Sequence, residues 1–349
     1  MAGQRSSLMG IAIVMISAAM FGMLAPVTRF SYEMGLAPLA FITWRSLVGM
    51  VGAGGLVAWR LARNPVAPGQ VDQGPLRARL HASARLGRRP GLALLAAASG
   101  GFLVNVGMFV AFQRIPVAVV LLTFYTYPAL MALVAVALGR ERMDRARAVA
   151  LGLASLGALL VVATQPGDAA LGLDLLGVGL ALMAAAGQTV FVTVSRDGFP
   201  AVRTDVAMTI VLAFIAVAGA LAAVLAGTGG SLGEPLGKPL LLGLLVFAGL
   251  FTAAIPSIML LAGIRRLGGV RAGILMLIEP MVGVVLAALL LAEPLQPVSL
   301  VGGLAILAAA VILTRAPIER GSASVPAGGV PPGAGSFTGA ESATALREP

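Results

Sequence analysis

The chain has 349 residues, of which 59% are hydrophobic and 11% charged, and its mean hydropathy is +0.99. Because an ordinary soluble domain carries roughly a quarter charged residues, this composition excludes a soluble globular protein. The absence of cysteine excludes disulfides, thiolate nucleophiles and metal sites with sulfur ligands.

Long apolar runs follow one another along most of the chain. Each is long enough for an α-helix to cross a hydrocarbon core of about 30 Å, which takes about 20 residues. Since the runs are continuously apolar rather than alternating, they predict helices and not barrel strands. The predicted fold class is therefore an all-α integral membrane protein with ten transmembrane helices. The predicted spans lie at about 6–28, 36–59, 90–113, 115–139, 148–167, 175–195, 206–233, 239–264, 272–292 and 294–314.

The basic residues predict how these spans are oriented. Of 24 lysines and arginines, 20 fall on termini and loops that alternate spans place on one side of the membrane. Only Arg29, Arg114 and Lys238 fall on the other side. Because cytoplasmic loops carry the excess of positive charge, we expect a multi-pass protein of the inner (plasma) membrane with both termini in the cytoplasm. This topology accounts for the net charge of +10 without a nucleic-acid partner.

Two segments outside the predicted spans have compositions of their own. The loop 60–89 holds seven arginines. A plain cytoplasmic loop is the favoured interpretation, and a basic patch for anionic lipid is the alternative. Residues 315–349 are rich in Gly, Pro, Ser and Ala with little to bury, which predicts a disordered cytoplasmic tail.

An internal repeat divides the apolar region. An offset of 152 superposes residues at the start, within and at the end of two similar apolar runs: Arg114 on Arg266, Pro128 on Pro280, and Glu141 on Glu293. Further upstream, residues 18–22 resemble 184–187 at an offset near 165. We therefore expect two five-helix repeats, at 1–164 and 165–314. Because five crossings are an odd number, the second repeat is inverted in the membrane, a plan typical of secondary transporters.

These residues resemble the EamA family of the drug/metabolite transporter (DMT) superfamily. The resemblance rests on the two five-helix halves, a proline within the fourth helix of each, and an acidic residue closing that helix. It also rests on the stretch Leu277-Ile278-Glu279-Pro280-Met281-Val282, followed by Gly302-Gly303 in the last helix. The resemblance covers roughly residues 8–314. It implies ten helices, cytoplasmic termini, a central cavity lined by both halves, and efflux of amino acids or other small metabolites.

Two charged residues inside predicted spans are candidates for a substrate site. Arg45, beside Trp44, either clamps a substrate carboxylate or bonds a neighbouring helix end, and the structural role is slightly favoured. Its position has to be compensated, since an arginine at the bilayer centre costs at least about 2.5 kcal/mol on insertion scales. Glu279 is the only acid within a predicted span and is the proton-coupling candidate. Its alternative role is a bond to a neighbouring helix near the span end, with Pro280 as a fixed kink.

Aromatic and amide side chains extend the predicted site. Tyr125 and Tyr127, next to Pro128, lie in the most polar aromatic stretch of any span and can line a cavity, with helix packing as the alternative. Asn105 and Gln188 are single mid-span amides that bind substrate or, more commonly, bond neighbouring helices. The predicted substrate-binding residues are Trp44, Arg45, Asn105, Tyr125, Tyr127, Gln188 and Glu279.

The predicted function is secondary active export of small metabolites by alternating access. Multidrug or organic-cation efflux is the alternative, and a non-transport intramembrane enzyme or scaffold is remote. The only histidine, His81, lies in the basic loop, and the single lysine leaves no phosphate-binding loop for ATP. We therefore expect no enzyme activity, cofactor or metal. The expected partners are a small-molecule substrate and membrane lipid, with proton coupling and a homodimer left open.

Overall fold

The computed structural model describes residues 2–63, 88–115, 117–139, 143–163, 174–291 and 297–315. These residues form helices joined by turns, with no strand among them. The predicted tail and most of the predicted basic loop lie outside the described residues, as do Glu141 and Glu293 of the repeat.

The described helices are numbered in chain order. A π-helical turn at Leu250–Ala254 joins α10 to α11, and two 3₁₀ turns, Gly229–Leu232 and Glu234–Gly237, lie between α9 and α10. The α-helices are α1 Ala2–Gly22, α2 Leu24–Glu33, α3 Pro38–Arg63, α4 Arg88–Ala111, α5 Val117–Phe124, α6 Tyr127–Ala137, α7 Arg145–Ala163, α8 Leu175–Asp197, α9 Thr204–Leu225, α10 Pro239–Gly249, α11 Ile255–Leu267, α12 Gly269–Met276, α13 Ile278–Leu291 and α14 Pro297–Arg315.

Six stretches of the described chain are long and apolar enough to cross a membrane. They are Leu8–Glu33, Pro38–Arg63, Arg89–Ala111, Leu175–Asp197, Thr204–Leu225 and Pro239–Leu267. The other four predicted spans coincide with α5 and α6, with α7, with α12 and α13, and with α14. Two of these four are interrupted halfway, so ten complete crossings stay a prediction.

The main helix contacts follow a two-fold pattern. Helix α4 packs along α8, and α1 packs along α11. In the predicted repeat, α1 corresponds to α8 and α4 corresponds to α11. The contact of α4 with α8 therefore corresponds to the contact of α11 with α1. The contacts of α3 with α9 and of α7 with α14 each map onto themselves under the same correspondence. Each of these four contacts joins a helix of one half to a helix of the other, so the two halves pack against each other along their length.

A pair of glycines brings α4 and α8 into backbone contact. A Cβ atom built on Gly100 would lie 2.7 Å from the carbonyl oxygen of Gly187, and the reverse distance is also 2.7 Å. No real side chain fits at that separation. The helices can pack this closely only because both residues lack a Cβ, as small residues do at membrane helix interfaces.

One end of the bundle carries the three cations that the sequence assigns to the outer side. Each is paired with a carboxylate, at 3.1 Å for Arg29–Glu33, 2.6 Å for Arg114–Asp174 and 3.2 Å for Lys238–Glu234. The Arg114 guanidinium and the backbone N–H of Leu176 hold the pKa of Asp174 below its usual value. This part of the bundle is called the Lys238 end below.

The opposite end is held together by Arg265, which closes α11. Its guanidinium donates to the carbonyl oxygens of Val202 at 2.7 Å and Phe199 at 3.1 Å, in the turn between α8 and α9. Asp205, in the first turn of α9, is buried and pairs with Arg60 at 2.7 Å and with Arg203 at 2.8 Å. The hydrogen bond to Asp205 raises the pKa of Arg203.

Candidate substrate site

Two helical stretches of the molecule break at equivalent positions. Helix α5 ends at Phe124 and α6 begins at Tyr127, while α12 ends at Met276 and α13 begins at Ile278. The repeat offset of 152 maps the first break onto the second. A proline follows each break, Pro128 or Pro280. Because proline has no N–H and its ring crowds the carbonyl four residues earlier, the helix is interrupted just before it.

Glu279 lies in the first turn of α13, directly after the second break. It is ten residues from the start of α12 at Gly269 and twelve from the end of α13 at Leu291. A carboxylate in a first turn complements the helix dipole. The side chain is partly exposed although the preceding residues 270–278 are buried. Within the described parts of the chain, its carboxylate accepts no hydrogen bond and forms no ion pair. No described protein group therefore satisfies this carboxylate.

Arg45 of α3 is buried, with 5% of its surface exposed, and donates to two other helical segments. Its Nε bonds Thr252 Oγ1 at 3.0 Å, and its Nη2 bonds the carbonyl oxygen of Thr252. Its Nη1 bonds Asn105 Oδ1 at 3.1 Å, and Asn105 Nδ2 in turn donates to Gly101 O at 2.8 Å. The two roles considered for Arg45 are binding a substrate carboxylate and bonding a neighbouring helix. These bonds are of the second kind. The guanidinium also interacts electrostatically with Glu279.

Thr252 was not among the residues predicted from the sequence. It lies in the π-turn, where the N–H of Ile255 bonds five residues back to Leu250 O. In an α-helix the N–H of residue 256 would donate to the carbonyl oxygen of Thr252. Residue 256 is a proline and has no N–H, so this carbonyl is left without that donor. The guanidinium of Arg45 supplies the missing donor. A proline four residues after a threonine in an apolar run is the signal that could have marked this site.

The two tyrosines at the first break differ in their environment. Tyr127 is 1% exposed, and its hydroxyl donates to Gly273 O in α12 at 3.4 Å. Tyr125 is 7% exposed, and its hydroxyl has no hydrogen-bond partner among the residues described. Both interact electrostatically with Glu279. Their rings pack on Phe124, with centroids 5.5 Å and 5.1 Å away.

The last two predicted residues lie apart from this group. Trp44 donates from Nε1 to Leu232 O at 2.9 Å, which ties α3 to the 3₁₀ turns at the Lys238 end. Gln188 of α8 is partly exposed, next to the glycine contact with α4. The structure thus brings Arg45 and Asn105 into direct contact and puts Tyr125, Tyr127 and Glu279 within electrostatic range of one another.

The geometry combines one carboxylate without a described donor, one guanidinium bonded to the protein and two phenol rings. Side chains of these types are the ones that orient polar or charged small molecules in protein sites. The described residues contain no cluster of three or more His, Cys, Asp or Glu side chains that could hold a metal ion.

Comparison with known proteins then decides the family. The family model described as "EamA-like transporter family" matches residues 8–163 and 174–315. The chain belongs to the EamA-like transporter family. It is accordingly a member of the DMT superfamily, a multi-pass membrane protein and a membrane transporter with a small-molecule substrate. The EamA family consists of transporters rather than enzymes.

The other comparisons add the fold alone. A solved structure titled only "Crystal structure of protein" is 19% identical, with a TM-score of 0.69, and the alignment covers 87% of this chain and 95% of that one. At this identity, the likeness shows that the two chains share a fold and says nothing about substrate. No curated protein matches the chain.

Proposed function

We propose that this protein is a secondary active transporter that exports small metabolites, such as amino acids or related compounds, across the inner membrane. Transport proceeds by alternating access, with both termini in the cytoplasm. The two inverted halves, 1–164 and 165–314, exchange conformations and open one central site to either side. Family membership, the two-fold pattern of helix contacts and the equivalent breaks before Pro128 and Pro280 support this proposal.

One observation carries the proposal most directly. Glu279 lies mid-way along an interrupted helical stretch, is partly exposed, and has no bonding partner among the described side chains. An ionisable residue inside the membrane is costly and typically marks a substrate or proton pathway. Glu279 therefore binds the substrate, exchanges a proton during the cycle, or does both in turn.

The other residues take roles that follow from their contacts. Tyr125 offers a free hydroxyl to the substrate beside Glu279, while Tyr127 supports the site through its bond to Gly273. Arg45, bonded to Asn105, forms the positive side of the site. Trp44 and Gln188 are peripheral contacts.

A second substrate class, organic cations, is favoured by the contrast between the two charges. Three N–H groups of Arg45 are used by protein acceptors, whereas the Glu279 carboxylate accepts none from the described residues. A carboxylate without a described donor, within electrostatic range of two tyrosines, suits an ammonium group, which aromatic faces also attract. Multidrug efflux is therefore the second candidate.

Counterflow in liposomes tests the proposal. Purified protein is reconstituted into vesicles loaded with amino acids, sugars, nucleosides and organic cations, and exchange is followed by mass spectrometry, with and without a proton gradient. We expect amino acids or related metabolites to exchange above protein-free vesicles. Exchange confined to organic cations would favour the second candidate. No exchange under any imposed gradient would contradict transport of these classes.

A further inference from the structure

The contact between α3 and the π-turn is polar, and the described residues of the contact related to it by the repeat are apolar at Gly101. Arg45 donates hydrogen bonds to both the hydroxyl and the carbonyl oxygen of Thr252. The repeat relates α3 to α9 and the π-turn to the middle of α4. There, a Cβ built on Gly101 would meet Ile215 Cδ1 at 3.2 Å and Val211 Cγ1 at 3.6 Å. Among the described residues, the related contact at Gly101 is therefore with apolar side chains.

This asymmetry has a consequence for the exchange of conformations. Apolar contacts are non-directional and can slide, whereas a guanidinium bonded at three positions keeps one geometry. Thr252 has no exposed surface, and its hydroxyl also donates to Ala248 O at 2.8 Å, so it is fixed on its own helix. Separation of α3 from the π-turn would leave buried charge and buried carbonyl unpaired, which is unfavourable.

We propose that Thr252 is a positioning residue: its hydroxyl and carbonyl hold Arg45 against the π-turn and lock α3 to the α10–α11 segment in one access state. The lock rests on the proposed alternating access, because it must open when the halves exchange conformation. The wide π-turn, produced before Pro256, presents the Thr252 carbonyl to the guanidinium. Asn105 of α4 completes the lock at the other side of Arg45.

A buried cysteine can report the opening of this lock. Ser46 follows Arg45, has no exposed surface, and its hydroxyl has no partner in the structure described. The chain contains no cysteine, so Ser46→Cys provides a single thiol. We would measure its labelling rate by methyl methanethiosulfonate in detergent and in liposomes. This readout requires no knowledge of the substrate, so it succeeds or fails separately from the transport assay.

The test compares three changes in the Ser46→Cys background. Thr252→Val keeps the shape but removes the hydroxyl, and we expect labelling to accelerate roughly tenfold, as for the loss of a hydrogen bond to a charged group. Thr252→Ser restores the hydroxyl and should return the rate to that of the parent. The matched control is Thr189→Val in α8, which removes a buried hydroxyl that likewise donates four residues back, to Ala185 O, and should leave labelling unchanged.

Two outcomes would overturn the proposal. Equal labelling of the Thr252→Val and parent proteins would show that the hydroxyl does not hold the two segments together. Faster labelling of Thr252→Ser to the same extent as Thr252→Val would assign the effect to packing. If Thr252→Val is not monodisperse by size-exclusion chromatography, Thr252→Ala takes its place with the same expectations.

Discussion

Tyr127 of α6 donates a hydrogen bond to the carbonyl oxygen of Gly273 in α12 and so joins the two interrupted stretches of the molecule. That carbonyl is available because Leu277, four residues later, turns its N–H to Ile274 O at the break. A helix interruption in one half thus creates the acceptor for a side chain of the other. The same occurs at the π-turn, where the interruption before Pro256 frees the Thr252 carbonyl and Arg45 of the other half donates to it.

The two tyrosines should respond differently to loss of their hydroxyl groups. We expect Tyr127→Phe to lower the free energy of unfolding by about 1 kcal/mol, the usual value of one buried hydrogen bond, with a small change in apparent KM. We expect Tyr125→Phe to raise the apparent KM and to leave thermal stability unchanged, because its hydroxyl bonds no described residue. Thermal unfolding and counterflow of both variants check this. The reverse pattern would exchange the roles of the two residues.

Replacement of Glu279 should remove the pH dependence of transport. Glutamine has nearly the same shape but cannot gain or lose a proton at neutral pH, so we expect the Glu279→Gln protein to fold and its flux to become insensitive to an imposed proton gradient. The matched control is Glu33→Gln, which alters an exposed carboxylate paired with Arg29. Flux of both variants is measured across a series of internal and external pH values. If Glu279→Gln keeps the pH profile of the parent, Glu279 has no part in coupling.

The glycine contact between α4 and α8 should be intolerant of a methyl group. Gly100→Ala forces a Cβ toward the backbone of Gly187, and backbone cannot give way as a flexible side chain does. We expect a loss of about 1–3 kcal/mol in stability, as for an overpacked core. Gly179→Ala, also on α8, meets no atom within 4 Å and serves as the control. Thermal unfolding in detergent measures both, and equal melting temperatures would contradict the close approach.

The Arg114–Asp174 pair should make stability sensitive to acid. Its hydrogen bonds hold the pKa of Asp174 below the usual value of about 3.9. The contribution of the pair is therefore present above that usual value and is lost as the pH falls through the lower folded pKa. We expect Asp174→Asn, which can still accept from the N–H of Leu176, to lose part of this acid sensitivity. Melting temperatures between pH 3 and pH 7 check this, with Asp197→Asn as an exposed control.

The sequence predicts the described helices well because lipid imposes a one-dimensional constraint. A continuously apolar run long enough to cross the bilayer has to be helical. The breaks before Pro128 and Pro280 were not predicted, and the structure places them inside two of the predicted spans. The offset of 152 also relates the two breaks, since each half keeps its proline at the same place. These features depend on local composition and spacing, which are visible without coordinates.

The bonds of the site could not be predicted in the same way. Arg45 and Thr252 are 207 residues apart, and nothing in the sequence near either residue names the other. The sequence does indicate that a buried arginine needs acceptors, and a carbonyl four residues before a proline is one that the helix leaves free. Which freed carbonyl meets which arginine depends on the packing of α3, α4 and the π-turn.

The ion pairs at the Lys238 end bear on how the chain is inserted. A lone elementary charge moved against a membrane potential costs about 2.3 kcal/mol per 100 mV. Arg29 with Glu33 and Lys238 with Glu234 are each separated by four residues, so both pairs can form on a newly made helical turn. If the Lys238 end faces outward, as the proposed topology has it, cation and anion cross together as a neutral dipole and the electrical work of translocation largely cancels.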